Sequence, residues 1–214
     1  MLLRASRACV AGTSVTVWIC VLGAGGRAAR EGHGIIVRGD LASVIYTVAK
    51  ETNKPLGVFS DNNDVALCPV EPTTLDRRNL PASLDALLRR CPGFEWRREG
   101  SSVFLCPRRT VRSPLALDIS SYNVTNADQL AMIEAVWSLP EVRRWTSSNI
   151  IKRPEFSLGA GHLSRGEDPQ RRRVSLRLRN VKLAGLLDAI VRSRGASMWE
   201  VALDSDTYMT IFIQ

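Results

Sequence analysis

Histidine is almost missing from this chain of 214 residues: only His33 and His162 offer an imidazole. Two histidines and no zinc-like cysteine spacing leave no metal site to expect. A hydrolase needs a nucleophile, a base and an orienting group. No G-x-S-x-G elbow is present, and His162, two residues from Ser164, is the one base near a serine. An envelope hydrolase using His162 is kept as an alternative, although a histidine and a serine in one loop more often are simply solvated. Aromatic residues make up 6% of the chain, and none interrupts the arginine-rich stretch 171–179. Single-stranded nucleic acid is bound by stacking on aromatics, so nucleic acid is not an expected partner. Beyond the N-terminus no apolar run approaches the ~20 residues that a spanning helix needs. Long polar tracts are also lacking, so most of the chain should fold.

What is abundant is arginine, 25 residues against 4 lysines, giving a net charge of +8. A basic balance favours anionic partners, although scattered charge mostly serves solubility. The N-terminal region reads as an export signal. Arg4 and Arg7 precede the mostly apolar stretch 8–22, and the small residues Gly23, Ala24, Gly25, Gly26 and Ala28 follow. Residues 1–28 are therefore expected to be a signal peptide or an uncleaved N-terminal anchor. Cleavage after Ala28 would remove three arginines and lower the charge from +8 to +5. Ile19 before Cys20 argues against lipidation, which wants a small residue there. The same region supports another reading, a cytosolic nucleotide-binding protein. Residues 23–28 match the G-x-G-x-x-A fingerprint, with Asp40 downstream. That fingerprint needs a following helix, and the residues before Ile35 are too few and too glycine-rich for a crossover.

The most informative feature is a repeat. Leu84-Asp85-Ala86, Arg89, Gly93 and Trp96 are followed by Val103-Phe-Leu-Cys106; Leu187-Asp188-Ala189, Arg192, Gly195 and Trp199 are followed by Tyr208-Met-Thr-Ile-Phe-Ile213. Each copy predicts a helix feeding a β-hairpin. Upstream of the first copy, apolar runs predict strands over 35–37, 56–59 and 65–75, with a helix over 41–52 capped by Asp40. Pro69 and Pro72 place the third strand at an edge. Upstream of the second copy the pattern predicts a strand over 115–119, a helix over 127–139 capped by Asn126, an irregular stretch 140–152, a short strand over 156–158 and a half-exposed strand over 174–178. The expected fold is α+β: two small β-α-β-β-α-β-β modules in tandem, over 33–107 and 115–214, with a basic linker over 108–114.

The first module resembles the short periplasmic domain called secretin and TonB N-terminus. The resemblance rests on the helix 41–52, the run Asn79-Leu-Pro-Ala-Ser-Leu-Asp-Ala-Leu-Leu, Gly93, an aromatic strand and the closing Val103-Phe-Leu. The second module is similar to it as a diverged copy. The resemblance implies a non-enzymatic module of the bacterial envelope that docks other envelope proteins, without a cofactor, in a periplasmic or secreted setting. It implies no fixed binding residues, and oligomers are compatible with it.

Three further expectations come from single residues. Export permits a disulfide. Cys68 and Cys106, both in Leu-Cys-Pro, are the favoured pair; Cys91 could instead pair with either, and buried free thiols are the other outcome. Asp85 with Arg89 and Asp188 with Arg192, at i,i+4, should form surface ion pairs. Arg171, Arg172, Arg173, Arg177 and Arg179 could form a basic interaction face, if they are not merely a solvated surface that guards a strand edge.

Overall fold

The computed structural model describes residues 34–61, 68–99, 101–109, 113–152, 172–204 and 208–214. The expectations for the export segment, the 23–28 fingerprint, His33, the 156–158 strand, His162 and Arg171 lie outside them. The first half runs β1 (Gly34–Asp40), α1 (Leu41–Thr52), β2 (Leu56–Asp61), β3 (Pro69–Asp76), α2 (Leu80–Leu88), β4 (Phe94–Glu99) and β5 (Ser102–Pro107). The second half runs β6 (Asp118–Ala127), α3 (Gln129–Trp137), α4 (Pro140–Ser148), β7 (Val174–Lys182), α5 (Leu183–Arg194), β8 (Met198–Asp204) and β9 (Tyr208–Ile213). The chain is α+β. Among the described residues no helix is long and apolar enough to cross a membrane.

Local chemistry explains the boundaries. Asp40 Oδ1 accepts from the Ser43 N–H at 2.7 Å and caps α1, and Asn53 closes it in the left-handed conformation. Gly195, at φ 69°, closes α5, and Arg192 and Arg194 sit in its last turn, where the helix dipole favours cations. Three details in the middle of the chain need correction. Residues 114–116 form a single 3-10 turn, and the strand begins only at Asp118. Asp128, not Asn126, caps the following helix, through its acceptor for Ala131 N–H at 2.9 Å; Asn126 instead sits at φ 50° beside a register shift in β6. The stretch 140–148 is helical because Pro140 occupies the first turn, where its missing N–H is no loss.

The larger correction concerns the modules. A two-stranded antiparallel sheet belongs to each half, β1–β3 and β6–β7, but the closing hairpins do not form separate sheets. They flank β2 in one five-stranded sheet of order β4-β5-β2-β8-β9, in which β2 runs parallel to both β5 and β8. Residues Gly32–Gln214 accordingly form one compact unit. Successive side chains of a strand point to opposite faces, and this sheet uses both. Val58, Leu105 and Met198 join Leu41, Val44, Ile45, Val48, Leu84 and Leu87 of α1 and α2 in one core. Phe59, Phe104, Cys106, Trp199 and Val201 join Ile133, Leu183, Leu186, Leu187 and Ile190 in a second core on the other face. The first half thus lies over one face and the second half over the other. Each fully buried large aliphatic side chain contributes about 1.5–3 kcal/mol, so neither half could leave its side of the sheet bare.

Gly57 makes the junction possible. A Cβ there would overlap the indole of Trp199 on the neighbouring strand. Gly57→Ala removes backbone freedom and would ordinarily favour a strand. Here it is expected to destabilise the protein by about 1–3 kcal/mol through overpacking, read as a fall in the denaturation midpoint at unchanged m-value. A stabilising Gly57→Ala would mean that Trp199 does not pack on β2.

Candidate interaction surface

The expected basic stripe is divided by the fold. Arg172 turns toward the end of α5: its Nη1 donates to the Arg194 carbonyl at 3.5 Å, and Arg194 Nη1 donates back to the Arg172 carbonyl at 2.7 Å. Arg173, Arg177 and Arg179 remain exposed. Within β7, Arg177 lies opposite Asn123 and Arg179 opposite Ser121 of β6, so the outer face of this ribbon is polar and basic. Its inner face carries Val174, Leu176 and Leu178, packed against the second core. Tyr122 anchors the ribbon from β6: the ring is buried, and its hydroxyl donates to the Met132 carbonyl at 3.0 Å. Burial raises this phenol above the usual tyrosine range. Arg177 and Arg179 have no ion-pair partner among the described residues.

The repeated Asp and Arg positions separate in the same way. Asp85 and Arg89 are exposed and form no ion pair among the described residues. Asp188 does pair with Arg192 at i,i+4 as expected, but its carboxyl is buried, at 2% exposed, and does not lie at the surface. Its Oδ1 accepts the Trp199 Nε1–H at 2.6 Å, and its Oδ2 lies 3.5 Å from Arg192 Nη2. The buried Ser102 hydroxyl lies beside the carboxyl without a well-formed hydrogen bond. Burial raises the Asp188 carboxyl, and the Trp199 N–H, Ser102 and Arg192 counter it in part. A raised carboxyl contributes stability fully present below the unfolded value, ~3.9. That contribution is lost as pH rises through the folded value. Asp188→Asn keeps an acceptor for the indole N–H and removes the charge. At neutral pH it is expected to be neutral to stabilising, by up to about 1 kcal/mol, with a smaller gain near pH 4. Asp188→Ala should cost about 1–3 kcal/mol at either pH, because it orphans a buried donor. Urea denaturation at both pH values distinguishes the two effects.

The cysteine expectation also changes. Cys68 pairs with Cys91, with a Cα–Cα distance of 6.0 Å, and Cys106 is free and buried. The cause is the alternation of β5: Cys106 faces the second core, whereas Cys91, at the end of α2, faces the first core beside Cys68. Burial pushes the Cys106 thiol up to about 11, which makes it a poor nucleophile.

Among the described residues no group of three His, Cys, Asp or Glu side chains is placed to hold a metal. Two surface hollows, one at Leu87, Arg90 and Glu71 and one at Trp137, Arg143 and Thr146, bring no nucleophile together with a base. No local pattern marks Asp188 and Trp199 as a buried pair; their one signal in the residue order is the spacing they share with Asp85 and Trp96. Comparison with protein-family models, with curated proteins and with solved structures finds no match to this chain.

Proposed function

We infer that this chain is an exported, non-enzymatic protein-interaction module of the bacterial cell envelope, whose partner is another envelope protein. The observation that carries the reading is the exposed arginine row on the β6–β7 ribbon: its strand packs its inner face on the core, and Arg177 and Arg179 have no ion pair among the described residues. Exposed charge on a fixed scaffold gives specificity and steering toward an anionic partner. The Cys68–Cys91 bridge supports export, because such bonds persist in oxidising compartments. The repeated helix-hairpin unit and its likeness to the secretin and TonB N-terminus domain support a docking role over chemistry.

The test is cell fractionation with intact mass, followed by in-cell cross-linking. The reading expects a chain starting near Ala29 outside the cytoplasm, or an intact chain anchored in the membrane, cross-linked to an envelope protein. An intact chain free in the cytosol would overturn it and return attention to the 23–28 fingerprint.

A further inference from the structure

The two ribbons of the fold differ at their edges. In the first, β3 carries Pro69 and Pro72, whose missing N–H groups interrupt any further ladder, and its inward residues Val70 and Leu75 are buried. In the second, β7 runs from Val174 to Lys182 without a proline. The partner strand β6 has its outer edge engaged by α4, since both the N–H and the hydroxyl of Ser120 donate to Glu141 Oε1, at 3.1 and 2.6 Å. No strand flanks β7 on its other side among the described residues. Val174, Leu176 and Leu178 are only half-buried although they face the core, whereas Tyr122 beside them on β6 is 2% exposed. Among the described residues, the β7 edge therefore combines backbone groups without a strand partner, a half-covered apolar row on its inner side and arginines without an ion pair on its outer side.

We propose that the free edge of β7 docks an extended segment of a partner protein in which acidic and apolar residues alternate. The spacing carries the argument. Alternate residues of a strand repeat about every 6.6–6.8 Å on the same face, and an added strand has the same repeat. Carboxylates at every second position then fall beside Arg177 and Arg179, where opposite charges on neighbouring strands attract. The intervening apolar side chains continue the row of Val174, Leu176 and Leu178 over the core. Main-chain bonds supply affinity, and the alternation supplies specificity. This deepens the module reading and rests on it, by naming the surface and the chemistry of the partner.

The test uses the full disulfide-bonded chain and three fluorescein-labelled peptides: one alternating Glu and Val, one of equal composition with all Glu before all Val, and one alternating Ser and Val. Fluorescence anisotropy should show the alternating Glu-Val peptide binding tightest, and more weakly as salt rises. The variant R177E/R179E, shown folded by circular dichroism, should bind it roughly tenfold more weakly, the order for two attractive pairs made repulsive. Alternate amides of residues 174–182 should gain hydrogen-exchange protection in the complex. Equal binding of the block peptide, unchanged affinity of the double variant, or protection confined to another element would each overturn the proposal. An envelope partner that binds the native chain and the double variant equally would reject this edge and leave the module reading standing. A cytosolic chain whose β7 still takes the peptide would do the reverse.

Discussion

Trp199→Ala is expected to lower the unfolding free energy by about 4 kcal/mol, the largest effect of any single substitution considered. Deleting a buried tryptophan typically costs about 3–5 kcal/mol, because the transfer energy is lost and a cavity remains. Trp199 is fully buried, lies over Gly57, and meets Phe104 with ring centroids 5.8 Å apart at a tilt of 47°. Its removal also strips Asp188 of its strongest hydrogen bond, leaving a buried carboxyl near Ser102 and Arg192. Trp199→Phe keeps much of the packing and loses the N–H, so it separates the two contributions. Combined with Asp188→Asn it forms a double-mutant cycle whose coupling term reads the indole–carboxyl bond. The corresponding change Trp96→Ala should cost much less, since Trp96 is half-buried on the outermost strand. Equal losses at the two tryptophans, measured by guanidinium denaturation, would contradict the shared sheet.

The second large effect is expected from the disulfide. Replacing Cys68 and Cys91 with serine opens a loop whose ends are 23 residues apart in sequence, and loop-closure entropy for that length predicts a loss of about 3 kcal/mol. The bridge ties the start of β3 to the end of α2, so its loss should loosen the first half before the second. Native-state hydrogen exchange would show this as lost protection in residues 69–88 with residues 183–213 little changed. Cys106 provides a control. With the thiol buried and raised to about 11, native protein at pH 8 should leave it unalkylated by iodoacetamide, whereas denaturation without reductant should expose it and leave Cys68 and Cys91 protected. Alkylation of Cys91 under those conditions would refute the pairing.

Much of the local structure was legible in the residue order. The helix 41–52 with its Asp40 cap, the helix over 183–194 ending at Gly195, the edge character of β3 and both closing hairpins follow from periodicity and turn chemistry. The failures cluster where a local signal had two outcomes. Asn126 and Asp128 are both good caps, and only the bulge in β6 decides between them. Cys91 and Cys106 were both open partners for Cys68, and only the face of β5 decides between those. The interaction surface was half legible: the alternation of β7 placed Arg177 and Arg179 outward, but nothing local showed that Arg172 would bond back to Arg194.

The residue order by itself determined most of the elements, the repeat and the basic charge, because caps, periodicity and turns depend on neighbours a few positions apart. Only the tertiary structure decided what the repeat means. Trp96 and Trp199 occupy the same register, yet one lies on an open edge and the other is enclosed. The difference lies in Gly57, which belongs to the other half of the chain and leaves room for an indole on one strand only. Strand partners are chosen by shape and burial between residues far apart in sequence, and no local pattern encodes that choice.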